Sequence, residues 1–299
     1  NFFADDGAGA GQSRGRLLRQ MLMRHWYSTG SLETGQTVMA NAAIDRTPVT
    51  LELGGKSPAI VAPDFALDQA AERLLWAKLL NAGQICTNVD YLLLPEGREQ
   101  AFIEHARRIA AARFPNLLNG DYTAIIDQRQ YDRLQAMLQD AQAQGATLIP
   151  LLPGQAGDAA RRILPPVLVL NATPAMQVLQ REIFGPILPI LTYRSHEEVV
   201  QYINARQHPL ALYIYSHDKA VQDFYLHHTL SGGVSINDSL IHTGLHNLPF
   251  GGVGHSGMGH YHGYEGFLTF SKLRPVFQQS RWRTVDLLMP PYGKRAYQL

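Results

Sequence analysis

Cysteine is almost absent: Cys86 is the only one in 299 residues. A single thiol excludes an intrachain disulfide framework and suits a reducing compartment. Long apolar runs are missing too, since no stretch approaches the ~20 residues that a membrane-spanning helix needs. Neither charge sign dominates, with 26 Lys and Arg against 25 Asp and Glu and no long run of either. That balance leaves no footprint for nucleic acid or for an acidic membrane surface. The opening Asn1-Phe2-Phe3-Ala4-Asp5-Asp6 has neither a basic nor an apolar segment, so it lacks the pattern of a secretory leader. Repeats and low-complexity tracts do not occur. What is present is 45% apolar residues, enough for a sizeable core. The expectation is a cytoplasmic protein of one large or two ordinary domains.

Periodicity places a basic amphipathic helix over 14–26, a turn over 27–35 and a helix over 34–43. Val49 to Leu53 is a short strand stopped by Gly54-Gly55. Beyond it, helices are expected over 68–81, 98–113, 128–144, 196–205 and 219–228. Strands are expected over 91–94, 147–152, 163–170, 187–192, 210–215 and 233–236. Strands separated by helices predict a largely parallel α/β sheet. From Asn247 the chain is rich in Gly, aromatics and Arg, and predicts a loop followed by an extended tail.

Three segments carry chemistry. Cys86 lies in Asn81-Ala-Gly-Gln-Ile-Cys-Thr87, after a helix and a Gly. A lone Cys is commonly a small buried hydrophobe, but the loop position predicts an exposed thiolate favoured by flanking backbone N–H groups, more reactive at pH 7 than a free thiol, as a nucleophile requires. Glu52, in Leu51-Glu-Leu-Gly-Gly-Lys56, is either an edge carboxylate paired with Lys56 or a partly buried general base. Glu182 to Pro186 spells Glu-Ile-Phe-Gly-Pro, a rigid turn with one acid and one aromatic ring. Two further patterns are rejected. Gly252-Val-Gly254-His-Ser-Gly257 has the G-x-G-x-x-G spacing but no preceding strand. His260-Tyr-His262 has no third metal ligand in sensible spacing, so no metal is expected.

Together these segments resemble the aldehyde dehydrogenase superfamily. Leu51-Glu52-Leu53-Gly54-Gly55-Lys56 is similar to its Glu motif, and Gly83-Gln84-Ile85-Cys86 to its Cys motif, at the family's 34-residue spacing. Glu182 and Phe184 match its Glu-x-Phe-Gly-Pro motif, and Pro249 to Gly257 its closing Gly-rich segment. Cys86-Thr-Asn-Val-Asp-Tyr91 and Gly257 to Gly263 look most like the branch acting on aromatic and fatty aldehydes, coniferyl aldehyde dehydrogenases in particular. The resemblance implies that Cys86 attacks the aldehyde, that Glu52 activates the hydrolytic water, and that NAD or NADP is the cofactor. It implies cofactor contacts at Gly30, Ser31, Gly35, Leu53, Gly54, Glu182 and Phe184. The partners it implies are a small-molecule aldehyde and a second copy of the chain in a homo-oligomer, a dimer.

In the family a long segment with most of the dinucleotide-binding strands precedes the Gly-Ser turn. Here only 26 residues precede Tyr27, against about 150 for five βα units. The expected fold is therefore α/β: a doubly wound aldehyde dehydrogenase-like catalytic domain with a partial dinucleotide-binding domain and a C-terminal oligomerisation tail. Residues 1–52 are expected as the cofactor-domain remnant, 53–237 as the catalytic domain and 238–299 as the return segment and tail. An impaired cofactor site predicts that thiol esterase activity, or oligomer association alone, outlasts hydride transfer.

Overall fold

A computed structural model describes residues 24–281 and 289–291. Most of the helix expected over 14–26 lies outside these residues. The described chain builds two sheets.

The small sheet has strand order β1-β2-β10, from β1 (Trp26–Gly30), β2 (Val49–Leu53) and β10 (Gly257–Met258). Strands β1 and β2 are parallel and joined by helix α1 (Leu32–Asp45), so they form a βαβ unit. The predicted turn at Tyr27 is thus a strand, and only Ser31 separates it from the helix. Pairing with β2 and burial of Trp26 override a local sequence rich in turn formers. Trp26, Val38, Ala42, Leu51 and Leu53 make the sheet's own apolar cluster.

The large sheet has order β5-β6-β7-β4-β3-β8-β9. Its strands are β3 (Pro58–Val61), β4 (Tyr91–Pro95), β5 (Thr147–Pro150), β6 (Val167–Leu170), β7 (Ile187–Tyr193), β8 (Ala211–Tyr215) and β9 (Gly233–Ile236). From β3 the chain adds β4, β7 and β6 on one side and β8 and β9 on the other, which is the doubly wound pattern. All pairs are parallel except β5 with β6 at one edge. The central strands read as unbroken apolar runs, such as Leu92-Leu93-Leu94, because both faces are covered. Connecting helices include α2 (Leu67–Leu79), α3 (Glu99–Arg113), α4 (Gln128–Ala143), the short α5 (Gln177–Gln180), α6 (His196–Asn204) and α7 (Lys219–His228).

Two further expectations need correction. The strand expected from Ile163 begins only at Val167, because Pro165 and Pro166 have no N–H to give a ladder. The segment after Asn247 is not all loop and tail, since it contributes β10 and helix α8 (Gly263–Thr269).

Candidate active site

Glu52 stands in the middle strand of the small sheet, opposite Thr29 of β1 and Gly257 of β10. It is 4% exposed. The Thr29 hydroxyl donates to Glu52 Oε2 at 2.6 Å, while Oε1 is buried and has no hydrogen-bond partner. Lys56 is not its counter-ion, as one sequence reading had it. The Lys56 ammonium pairs with Asp90 instead, because the Gly54-Gly55 turn carries it away from β2 and toward the large sheet.

Cys86 comes from the other side, on the segment that links α2 to β4. Helix α2 ends in a 3₁₀ turn (Leu80–Gly83) with Asn81 and Ala82 at φ of 52° and 51°, so the chain doubles back sharply. Cys86 and Thr87 then occupy the centre of a turn closed by Asn88 N–H to the Ile85 carbonyl at 2.9 Å. Side chains pin this turn. Asn88 Nδ2 donates to Ala77 O at 2.7 Å, the Tyr213 hydroxyl donates to Thr87 O, and Lys78 Nζ donates to Val89 O at 2.9 Å. Gln84 donates to Ala124 O at 3.1 Å and accepts from Ile126 N at 2.9 Å, tying the turn to a separate loop.

The thiol environment differs from the expectation of a readily formed, exposed thiolate. Cys86 is half-buried, and burial pushes its pKa well above the ordinary thiol range. The charge of Glu52 raises it further, followed by the charge of Glu182, and the Thr87 N–H opposes them. Glu52 and Cys86 are therefore electrostatic neighbours, although one lies in a strand of the small sheet and the other in the turn before β4.

Glu182 completes the group. It lies between α5 and β7, and its carboxylate occupies the space that a Cβ on Gly54 would need. Burial pushes its carboxyl up to about 8, with Asp90 adding to the rise and the Gly55 N–H, Lys56 and Arg133 opposing it. Phe184 follows at φ 49° and is exposed. The next residue, Gly185, approaches the Cys segment so closely that a side chain on Gly83 would strike its carbonyl.

The other expected cofactor contacts converge on the same edge. Gly30 ends β1, and Ser31 caps α1, its hydroxyl accepting from Thr34 N at 3.3 Å. Gly35, in the first turns of α1, is buried against the Leu53 side chain at the end of β2. The carboxyl ends of β1 and β2 thus meet the amino ends of β4 and β7 around Cys86. Tyr27 and Tyr261 stand beside them with ring centroids 4.9 Å apart, and the phenols of both feel the charges of Glu52 and Cys86. Thr29, Gln84, Lys56, Asp90, Tyr27 and Tyr261 were not among the sequence candidates. Strand register and ring contacts bring Thr29, Tyr27 and Tyr261 to the site, while Gln84, Lys56 and Asp90 lie within four residues of Cys86 or Glu52 and act through long-range hydrogen bonds.

Residues 7–276 match the aldehyde dehydrogenase family. The chain belongs to that family. It is 49% identical over 276 residues to a probable coniferyl aldehyde dehydrogenase of Pseudomonas aeruginosa, covering 92% of this chain and 57% of that protein. It is 40% identical to the dimeric NADP-preferring aldehyde dehydrogenase of Canis lupus familiaris, covering 84% and 54% of the two chains. Among solved structures, substrate-bound Staphylococcus aureus AldH aligns with a TM-score of 0.87 at 35% identity, over 99% of this chain and 63% of that one. The chain thus spans somewhat more than half the length of these relatives. Among its described residues, no helix is long and apolar enough to cross a membrane.

Proposed function

We propose that this aldehyde dehydrogenase family member oxidises an aldehyde to its carboxylic acid, with Cys86 as nucleophile, Glu52 as base and NAD or NADP as oxidant. The observation that carries the reading is the convergence of Glu52, Cys86 and Glu182 from three separate segments on one buried spot. Cys86 Sγ adds to the aldehyde carbon, the C=O electron pair moves to oxygen, and the thiol proton leaves to water, directly or relayed through Glu52 Oε1, so that Glu52 is a carboxylate again before deacylation. The cofactor, when bound, supplies the two-electron acceptor for the hydride on that carbon. Glu52 then takes a proton from water as the water oxygen bonds to the thioester carbon, and the C–S bond breaks to return the Cys86 thiol. A buried carboxylate with one oxygen held by Thr29 and the other free is suited to both proton transfers.

The residues present fit a dinucleotide. Parallel strands β1 and β2 end beside the start of α1, where backbone N–H groups and the helix dipole favour phosphate. Gly30, Ser31, Gly35, Leu53 and Gly54 would line this edge, with Glu182 and Phe184 at the nicotinamide end. The aromatic side chains Tyr27, Tyr261 and Phe250, together with the coniferyl-named relative, support an aromatic aldehyde as substrate. Exposed Tyr264, Phe267, Phe270, Leu273, Val276 and Phe277 offer an apolar face for a second copy in a dimer, as the dimeric relative's name supports.

The same pair, Cys86 and Glu52, supports a second reading as a cofactor-independent thiol esterase. Stopped-flow phenolate release from an activated aromatic ester, beside absorbance of reduced nicotinamide with an aromatic aldehyde, separates the two. Glu52→Gln is expected to keep a single-turnover burst and suppress the steady rate, and Cys86→Ala to abolish both. Ester turnover without aldehyde-dependent cofactor reduction would favour the esterase. Hydrolysis unchanged in Cys86→Ala would remove both readings.

A further inference from the structure

Lys56 follows Glu52 by four residues and Asp90 follows Cys86 by four. The two meet in an ion pair whose side chains are only 14% and 4% exposed. Their remaining bonds all go to one place. Lys56 Nζ donates to Val178 O at 2.8 Å and Arg181 O at 2.9 Å, and Asp90 Oδ1 accepts from Ile183 N at 2.8 Å. All three ammonium hydrogens and both carboxylate oxygens are thereby used. The Asp90 amide is also engaged, donating to Ser57 O at 2.8 Å. Arg133 of α4 in turn donates to Glu182 O at 3.2 Å and Ile183 O at 2.6 Å.

The backbone of 181–183 is thus gripped atom by atom on either side of Glu182. Stability alone does not explain such a device. Withdrawing two charges from water is costly, and well-packed apolar residues often replace a buried pair without loss. What apolar residues cannot do is fix the register of a backbone segment through named carbonyls and an N–H.

We infer that the Lys56–Asp90 pair is a positioning node that locks the segment bearing Glu182 and Phe184 onto the segments bearing Glu52 and Cys86. Neither residue touches the reacting atoms. Each acts through the Glu182 backbone, which sets where that carboxylate lies against Gly54. The consequence for cofactor binding rests on the function proposed above, whereas the locking itself does not.

The test compares the wild-type chain with Asp90→Asn, which keeps an acceptor for Ile183 N–H but removes the charge, and with the double variant Lys56→Met/Asp90→Leu. Hydrogen exchange across 178–186 is read by mass spectrometry, with thermal midpoints as a check on folding. In the double variant, exchange at 178–186 should accelerate roughly tenfold or more while peptides of β3 and β8 keep their protection. Asp90→Asn should show a smaller change in the same place. In steady-state assays KM for NAD or NADP should rise more than kcat falls, a split that general destabilisation does not produce. Unchanged exchange at 178–186 in a folded double variant overturns the node, as does acceleration spread evenly over the large sheet. A segment released in the double variant with an unaltered KM overturns its link to the cofactor. A wild-type chain that reduces no cofactor overturns the functional reading, and the exchange data still decide the node.

Discussion

Thr29 and Glu52 face each other across two parallel strands, and the threonine hydroxyl holds one carboxylate oxygen at 2.6 Å. The bond selects one orientation of the glutamate and leaves Oε1 as the oxygen able to take a proton. Thr29→Val keeps the shape of the side chain and removes the donor. A hydrogen bond to a charged group contributes about 1.5–3 kcal/mol, so steady turnover should fall roughly 10- to 100-fold. The burst that reports attack by Cys86 should persist, and Thr29→Ser should recover most of the loss. Stopped-flow ester hydrolysis by the three proteins checks this, and equal steady rates in wild type and Thr29→Val would show that Glu52 does not depend on its neighbour.

The reactivity of Cys86 should run opposite to the expectation drawn from its motif. Burial first, and then the adjacent Glu52, disfavour the thiolate, so the cofactor-free protein should react with iodoacetamide more slowly than a free thiol at pH 7. The rate should climb as pH moves into the alkaline range. Glu52→Gln removes a negative neighbour and should raise the rate at pH 7, although burial remains. Mass-mapped alkylation over a pH series gives the answer. A fall in Glu52→Gln would mean that the carboxylate draws the proton off Cys86 even without substrate.

Glu182 links the site to stability. Its carboxyl rises from 4.5 to about 8 on folding, chiefly through burial, so the folded chain binds more protons than the unfolded one between those values. Its contribution therefore becomes steadily less favourable as pH rises from about 4.5 to about 8 and levels off beyond. Glu182→Gln should be close to neutral at the acid end and should raise the thermal midpoint at pH 8 and above. Differential scanning calorimetry of both proteins at several pH values tests it. A constant difference across the range would place the Glu182 proton elsewhere.

Glu52, Cys86, Glu182 and Phe184 were legible because each sits in a short run whose local chemistry is unusual. A carboxylate ending an apolar strand, a thiol after Gly and an acid beside Gly-Pro all stand out without tertiary information. The alternation of strands and helices likewise exposed the parallel sheet. Thr29 was not legible, because its role depends on pairing with β2, and the run around it has the composition of a turn. Lys56 and Asp90 were hidden for a different reason. A nearby acid, Glu52, offered Lys56 an obvious partner in sequence, whereas the actual one lies 34 residues away. The pKa of Cys86 was misjudged because backbone donors were visible in the motif and burial was not.

The small sheet closes late along the chain. Gly257 pairs with Glu52, and Leu53 N–H donates to Ser256 O at 3.0 Å, so a segment some 205 residues downstream secures the proposed base. Every strand of the large sheet lies between Pro58 and Ile236, so that sheet can assemble before this final pairing exists. On a ribosome emitting the chain from its first residue, Glu52 emerges early and waits for its last neighbour. The long loop that must close carries an entropic cost that only an already compact large sheet can reduce. The order of synthesis therefore builds the body first and arms the site last, so a nascent chain carries its cysteine well before it carries a finished centre.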